Sequence, residues 1–133
     1  MDPNRVKAIP IFSHLSDAEA NRLSAFATEA SVADGQILMK QGDYSTELIG
    51  IEEGTADVIR DGKKIASLKE GDLIGEMGLL EHEPRNADVV ATSPMRVMKL
   101  THWEVRRMSE ETLARIREIV AKRRQDGVGD PAH

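Results

Sequence analysis

The stretch Ile74-Gly75-Glu76-Met77-Gly78-Leu79-Leu80, followed after Glu81, His82 and Glu83 by Pro84-Arg85-Asn86-Ala87-Asp88-Val89, decides how this chain is read. A glycine opens a short apolar helical segment with a carboxylate, Glu76, at its start, and an arginine follows after a loop. The start of a helix leaves backbone N–H groups unpaired and carries partial positive charge, so it receives anions, phosphate in particular. Gly75 carries no side chain that would keep an anion away from that backbone. Arg85 offers a forked, permanently charged donor set for phosphate oxygens. Glu76 is the odd member, because a carboxylate repels a phosphate. It makes sense as the acceptor of a hydrogen bond from a neutral neighbour such as a sugar hydroxyl. Phosphate and sugar hydroxyl in one small site point to a nucleotide.

At these residues the chain resembles the cyclic-nucleotide-binding domain family, which includes catabolite activator proteins, regulatory subunits of cAMP-dependent kinase and cyclic-nucleotide-gated channels. The family's phosphate-binding cassette reads roughly Phe-Gly-Glu-Leu-Ala-Leu-Leu, three free positions, then Pro-Arg-Ala-Ala-Thr-Val. Gly75, Glu76, Leu79, Leu80, Pro84, Arg85, Ala87 and Val89 match in place and spacing. Ile74, Met77 and Gly78 depart mildly, Asn86 and Asp88 more. The resemblance runs from about residue 9 to about residue 122, through Gln41-Gly42-Asp43, Leu48 to Gly54 and Glu70-Gly71-Asp72.

The resemblance implies an α+β fold. Its centre is a jelly-roll-like antiparallel β roll of eight strands, with N-terminal helices, a short cassette helix and C-terminal helices. The implied ligand residues are Gly75, Glu76, Met77, Gly78, Arg85, Asn86 and Ala87. Arg85 would pair with a cyclic phosphate, Glu76 would take the ribose 2′-hydroxyl, and backbone N–H groups on either side would complete the cradle. In the family a hydroxyl residue directly after the arginine favours guanine. Asn86 supplies an amide instead, and cAMP is expected ahead of cGMP. The expected role is a sensor or regulatory module, not an enzyme, with no cofactor, an unidentified effector protein as output and room for a weak homodimer. The C-terminal helices, through Val105, Met108, Leu113, Ile116 and Val120, are expected to swing toward Met77, Leu79 and Leu80 when ligand binds. About 33 residues follow Leu100, too few for the winged helix-turn-helix of the family's transcription factors, so a stand-alone domain is expected. The alternative is a roll that no longer binds ligand and serves as a protein-interaction module, an idea that rests on Asn86 and Asp88.

Composition fits this reading. The chain has 133 residues, 40 % hydrophobic and 31 % charged, enough for one domain with an ordinary core. Residues 1–126 are expected to form it and 127–133 a flexible tail. The net charge of −5 predicts no bulk attraction to nucleic acid or acidic membranes, so an anionic ligand must be held by local charge. No apolar run approaches the length of a membrane span, and the first five residues carry no apolar signal core. Absence of cysteine removes disulfides and thiolate chemistry, which suits a cytoplasmic protein.

Local signals place the elements. Asp2 and Pro3 are a cap and first position for a short helix carrying Val6 and Ile9, ended by Pro10. Ser16 to Glu19 is a capping box, followed by Ala20, Leu23, Phe26, Ala27 and Ala30 at helical spacing, which predicts a helix of about 13 residues. From Ser31 to Leu100 short apolar runs are punctuated by Gly35, Gly42, Gly54, Gly62, Gly71 and Gly78, the interval of a small antiparallel roll. Asp61-Gly62 is a two-residue hairpin turn, and Ser93-Pro94 a turn between strands. Ala87, Val89 and Ala91 share one strand face, which puts Asp88 on the other. Thr101 to Glu104 caps a helix over about 102–108, and Ser109 caps another carrying Leu113, Ile116 and Val120.

Other chemistries find no residues to carry them. His14, His82, His102 and His133 lie in different elements without metal-ligand spacing, so neither a metal site nor a cupin-like barrel enzyme is expected. No nucleophile stands with a base and an orienting partner. Trp103 and Tyr44 are the only tryptophan and tyrosine, too few for a nucleic-acid stacking platform.

Overall fold

The computed structural model describes residues 2–9, 12–13, 15–44, 47–74, 86–101, 110, 113–114 and 118. Helices α1 (Pro3–Lys7) and α2 (Asp17–Phe26) precede eight strands. These are β1 (Thr28–Val32), β2 (Ile37–Met39), β3 (Glu47–Glu53), β4 (Ala56–Arg60), β5 (Lys63–Leu68), β6 (Leu73–Ile74), β7 (Asp88–Ala91) and β8 (Met95–Thr101). They pair antiparallel into two four-stranded sheets, in the orders β1-β8-β3-β6 and β2-β7-β4-β5. Every connection except that between β4 and β5 crosses from one sheet to the other, which makes the assembly a roll.

The exception is the expected hairpin. Asp61 (φ 52°) and Gly62 (φ 78°) both take left-handed backbone between the paired residues Arg60 and Lys63, as a tight turn matched to strand twist requires. Gly35, Gly42, Gly54 and Gly71 likewise stand at positive φ, one in each of four sheet-changing connections. Gly78 lies outside the described residues.

The first sheet is buried on both faces. Alternate residues of β3 separate cleanly: Ile49 and Ile51 point between the sheets, with Val58, Ile74, Val89 and Val97. Leu48 points to the helices, where Met98, Leu100, Val6, Phe12 and Leu23 join it. On the helix side Ile9 seats against bare backbone, since a Cβ added at Gly50 would stand 2.6 Å from its Cδ1. Leu113, in the helical stretch after β8, is partly buried against this same cluster.

The helix caps are as read. The Asp2 carboxylate accepts from the Asn4 N–H, with Pro3 in the first turn, and the Ser16 hydroxyl accepts from the Glu19 N–H at 3.1 Å. Two boundaries differ from the sequence reading. Helix α1 closes at Ala8, so Ile9 lies just beyond it, still buried. Helix α2 has 10 residues, not about 13: Ala27 caps it in extended backbone, and Thr28 already pairs with Lys99 of β8. Ala30 therefore belongs to β1, and Phe26 is half exposed rather than part of a buried stripe. The helical spacing continues in sequence, but ladder bonds to β8 stabilise the extended backbone more than one further helical turn would. The helix expected over 102–108 and the tail at 127–133 lie outside the described residues. No helix among the described residues is long and apolar enough to cross a membrane.

On the helix-facing side of the first sheet a charged cluster ties α1 to the roll. Glu29 of β1 accepts at one oxygen from both Arg5 (2.9 Å) and Arg96 (3.1 Å). Glu52 of β3 lies nearly buried beside them, 3.8 Å from Arg5 and 3.9 Å from Arg96, and its oxygens find no hydrogen-bond partner among the described residues. Burial, together with the neighbouring Glu29 carboxylate, pushes the Glu52 carboxyl above the usual range. Burial pushes Glu29 up too, but hydrogen bonds led by Arg96 outweigh it and leave Glu29 below its ordinary value.

The two shifts have opposite consequences for stability. At Glu52 the folded chain binds the proton more tightly than the unfolded one, so its contribution favours folding at low pH and is lost as pH rises through the raised value. The Glu29 contribution is present above the ordinary carboxylate range and lost as pH falls through its lowered value. Glu52→Gln, which keeps the shape without the charge, is expected to raise the melting temperature at pH 7 and to lose that advantage near pH 4. Calorimetric melting at both pH values checks this; a variant less stable than wild type at pH 7 contradicts it.

Candidate functional site

Two strand ends bracket the segment that sequence reading singled out. Ile74, the last residue of β6, is fully buried between the sheets and pairs with Ile49 of β3. On the far side Ala87 is also fully buried, against the same cluster, and leads into β7. Of the expected ligand residues, Asn86 and Ala87 are described. Gly75, Glu76, Met77, Gly78 and Arg85 lie outside the described residues.

The described end is well anchored. Ala87, Val89 and Ala91 all point into the core, as their alternation predicts, and Asp88 faces the other way. The Asp88 carboxylate accepts a hydrogen bond from the Gln41 backbone N–H at 2.6 Å, and the Arg60 Nε–H donates to the Asn86 carbonyl at 3.1 Å. An Asp at this position thus has a structural occupation, the bond to the connection that follows β2. Neither Gln41 nor Arg60 is among the residues that the sequence assigns to the site. Their partners lie 47 and 26 residues away, and no local pattern announces such pairs.

What this end offers chemically is a main chain held in place. The Ala87 side chain fixes one side of the backbone, while Asn86 is exposed. Two cavities elsewhere on the described surface do not involve these residues. One, of about 230 Å³, is lined by Arg5, Ile9, Glu52 and Glu70 among others. The other, of about 440 Å³, is lined by Thr55, Asp57, Lys64 and Asp72 among others. Among the described residues no group of three or more His, Cys, Asp or Glu could hold a metal ion.

Comparison with known proteins bears on this roll directly. A family model described as the cyclic nucleotide-binding domain matches residues 29–112, from β1 past β8 and across the whole bracketed segment. The chain belongs to the cyclic nucleotide-binding domain family. Among its relatives, the cAMP-dependent protein kinase regulatory subunit of Hypocrea atroviridis is 32 % identical over 100 residues, covering 75 % of this chain and 22 % of that protein. The cGMP-dependent protein kinase of Plasmodium berghei is 30 % identical over 86 residues, covering 65 % of this chain and 10 % of the other. Among solved structures, cAMP-bound PfPKA-R (residues 141–441) superposes with a TM-score of 0.84 at 22 % identity, covering 92 % of this chain and 44 % of that one. At that identity the likeness shows the shared fold. The chain thus spans under a quarter of the length of the curated relatives cited here.

Proposed function

We propose that this chain is a cyclic-nucleotide sensor that binds cAMP ahead of cGMP and performs no chemistry of its own. The observation that carries this is the family match across residues 29–112, which includes every residue of the expected cassette. In this reading Arg85 clamps the cyclic phosphate and Glu76 accepts from the ribose 2′-hydroxyl. Backbone N–H groups around Gly75, Glu76, Met77, Gly78, Asn86 and Ala87 complete the cradle. A donor set fixed before ligand arrives needs little reorganisation on binding. The buried Ile74 and Ala87 support this, because they hold both ends of the segment in the core.

Relatives include kinases and kinase subunits named for cAMP and for cGMP, and an effector protein, a kinase among the candidates, is the proposed recipient of the signal. The proposed output runs through the stretch after β8. Leu113 packs on the cluster formed by α1, α2 and the first sheet, so a shift of that stretch would be felt by the N-terminal helices.

Selectivity between the two nucleotides is tested at Asn86, which is exposed. Competition titrations of wild type and Asn86→Ala are expected to favour cAMP in both. A cGMP preference in wild type that Asn86→Ala abolishes would reverse the assignment and give the amide a base-reading role. Absence of binding by any cyclic nucleotide would leave the ligand-silent interaction module in its place.

A further inference from the structure

The backbone ladders of β7 run out just where its chain arrives from the bracketed segment. Pairing with β2 ends at Met39 opposite Val89, and pairing with β4 ends at Ile59 opposite Asp88. Beyond each last pair a side chain takes over. On the β2 flank Asp88 captures the Gln41 N–H at 2.6 Å, and on the β4 flank Arg60 captures the Asn86 carbonyl at 3.1 Å. The two flanks are then joined to each other. The Gln41 amide donates to the Asp61 carboxylate at 2.8 Å and accepts from the Asp61 N–H at 3.1 Å. Asp61 directly follows Arg60, so the bonds close a ring around the start of β7: Asp88, Gln41, Asp61, Arg60, Asn86.

We infer that Gln41, Arg60, Asp61 and Asp88 are positioning residues for ligand binding: their hydrogen-bonded ring holds the backbone of Asn86 and Ala87 ready to present its N–H groups. This rests on the proposed cyclic-nucleotide site, whose phosphate cradle draws on those two amides. None of the four positioning residues is itself among the expected ligand contacts. The physical case is preorganisation. An amide that must be ordered when ligand arrives costs conformational entropy at that moment, whereas one already fixed does not. Linked hydrogen bonds also act as a unit, so loss of one member loosens the others. Asp88, one of the two larger departures from the family pattern, is a member of the ring.

The test combines two measurements on wild type, Asp88→Ala, Gln41→Ala and the double variant. The first is backbone ¹⁵N relaxation of Asn86 and Ala87 without ligand. Order parameters near the rigid value of about 0.85 in wild type are expected to fall toward about 0.6 in each variant. The second is calorimetric affinity for cAMP well below the melting temperature, expected to weaken about tenfold, or about 1.4 kcal/mol, in each single variant and no further in the double. Gln41 is exposed, so Gln41→Ala keeps the test open should Asp88→Ala not fold. Lower melting temperatures with unchanged order parameters and cAMP affinity within twofold of wild type would reduce the ring to a structural role and overturn the inference. Wild type that fails to bind cAMP refutes the proposed ligand, while unchanged relaxation refutes the ring independently.

Discussion

Gly54→Ala is expected to destabilise the fold by about 3 kcal/mol, while Gly62→Ala costs about 1–2 kcal/mol. Both glycines stand in left-handed backbone, at φ 97° and 78°, where an L side chain is strained. They differ in what surrounds them. A Cβ at Gly62 meets nothing within 4 Å among the described residues, and the hairpin tip is exposed. A Cβ at Gly54 would stand 2.6 Å from the Pro94 carbonyl and 2.9 Å from the Met95 Cα, both backbone atoms with little freedom to retreat.

That contact matters because two sheet crossings meet there. Gly54 and Thr55 carry the chain from β3 to β4, and Thr92 to Pro94 carry it back from β7 to β8. The crossings are bonded through Thr92 N–H to the Thr55 carbonyl, Thr55 N–H to the Ser93 hydroxyl, and hydroxyl to hydroxyl between Thr55 and Thr92. Separating them to admit a methyl group breaks these bonds. Denaturant unfolding of the two variants checks the difference; equal losses would mean that conformational strain alone governs both sites.

Replacing Arg85 by Ala is expected to weaken cAMP binding by about 1.5–3 kcal/mol, roughly 10- to 150-fold. The variant loses a charge-assisted hydrogen bond to phosphate, and the overall charge of −5 supplies no general attraction to replace it. Arg85→Lys is expected to recover part of the loss, since it restores the charge without the fork. The melting temperature of each ligand-free variant serves as the control for folding. Wild-type affinity in a folded Arg85→Ala protein would take the phosphate away from this residue.

Much of the fold was legible because its signals are local. The Asp61-Gly62 turn, the caps at Asp2 and Ser16, and the alternation of Ala87, Val89 and Ala91 each involve residues within a few positions of one another. The end of α2 was misplaced for the opposite reason. The helical pattern continues through Ala27 to Ala30, yet the backbone from Thr28 to Ala30 is claimed by β8, whose residues lie some 70 positions further on. Glu52 carries no signal in the sequence; only the approach of α1 over the first sheet buries it beside Glu29. At the candidate site Ala87 was placed by its period, and Asp88 was turned outward by the same rule. What occupies Asp88 could not be read, because the Gln41 backbone N–H reaches it through the register of β2 on β7. The roles assigned to Arg85 and Glu76 rest on motif spacing and family resemblance, and the Arg85 variants test the first of them.

The most direct measurement is a calorimetric titration of the intact chain with cAMP, paired with a thermal-shift panel of cyclic nucleotides. Binding with one ligand per chain is expected. At a ligand concentration 100 times the dissociation constant the fold should gain about 2.7 kcal/mol, or about 10 °C in melting temperature for a domain of this size. Titration without heat, together with no shift in melting temperature for any 3′,5′-cyclic purine nucleotide, would contradict the assignment of this roll as a cyclic-nucleotide sensor.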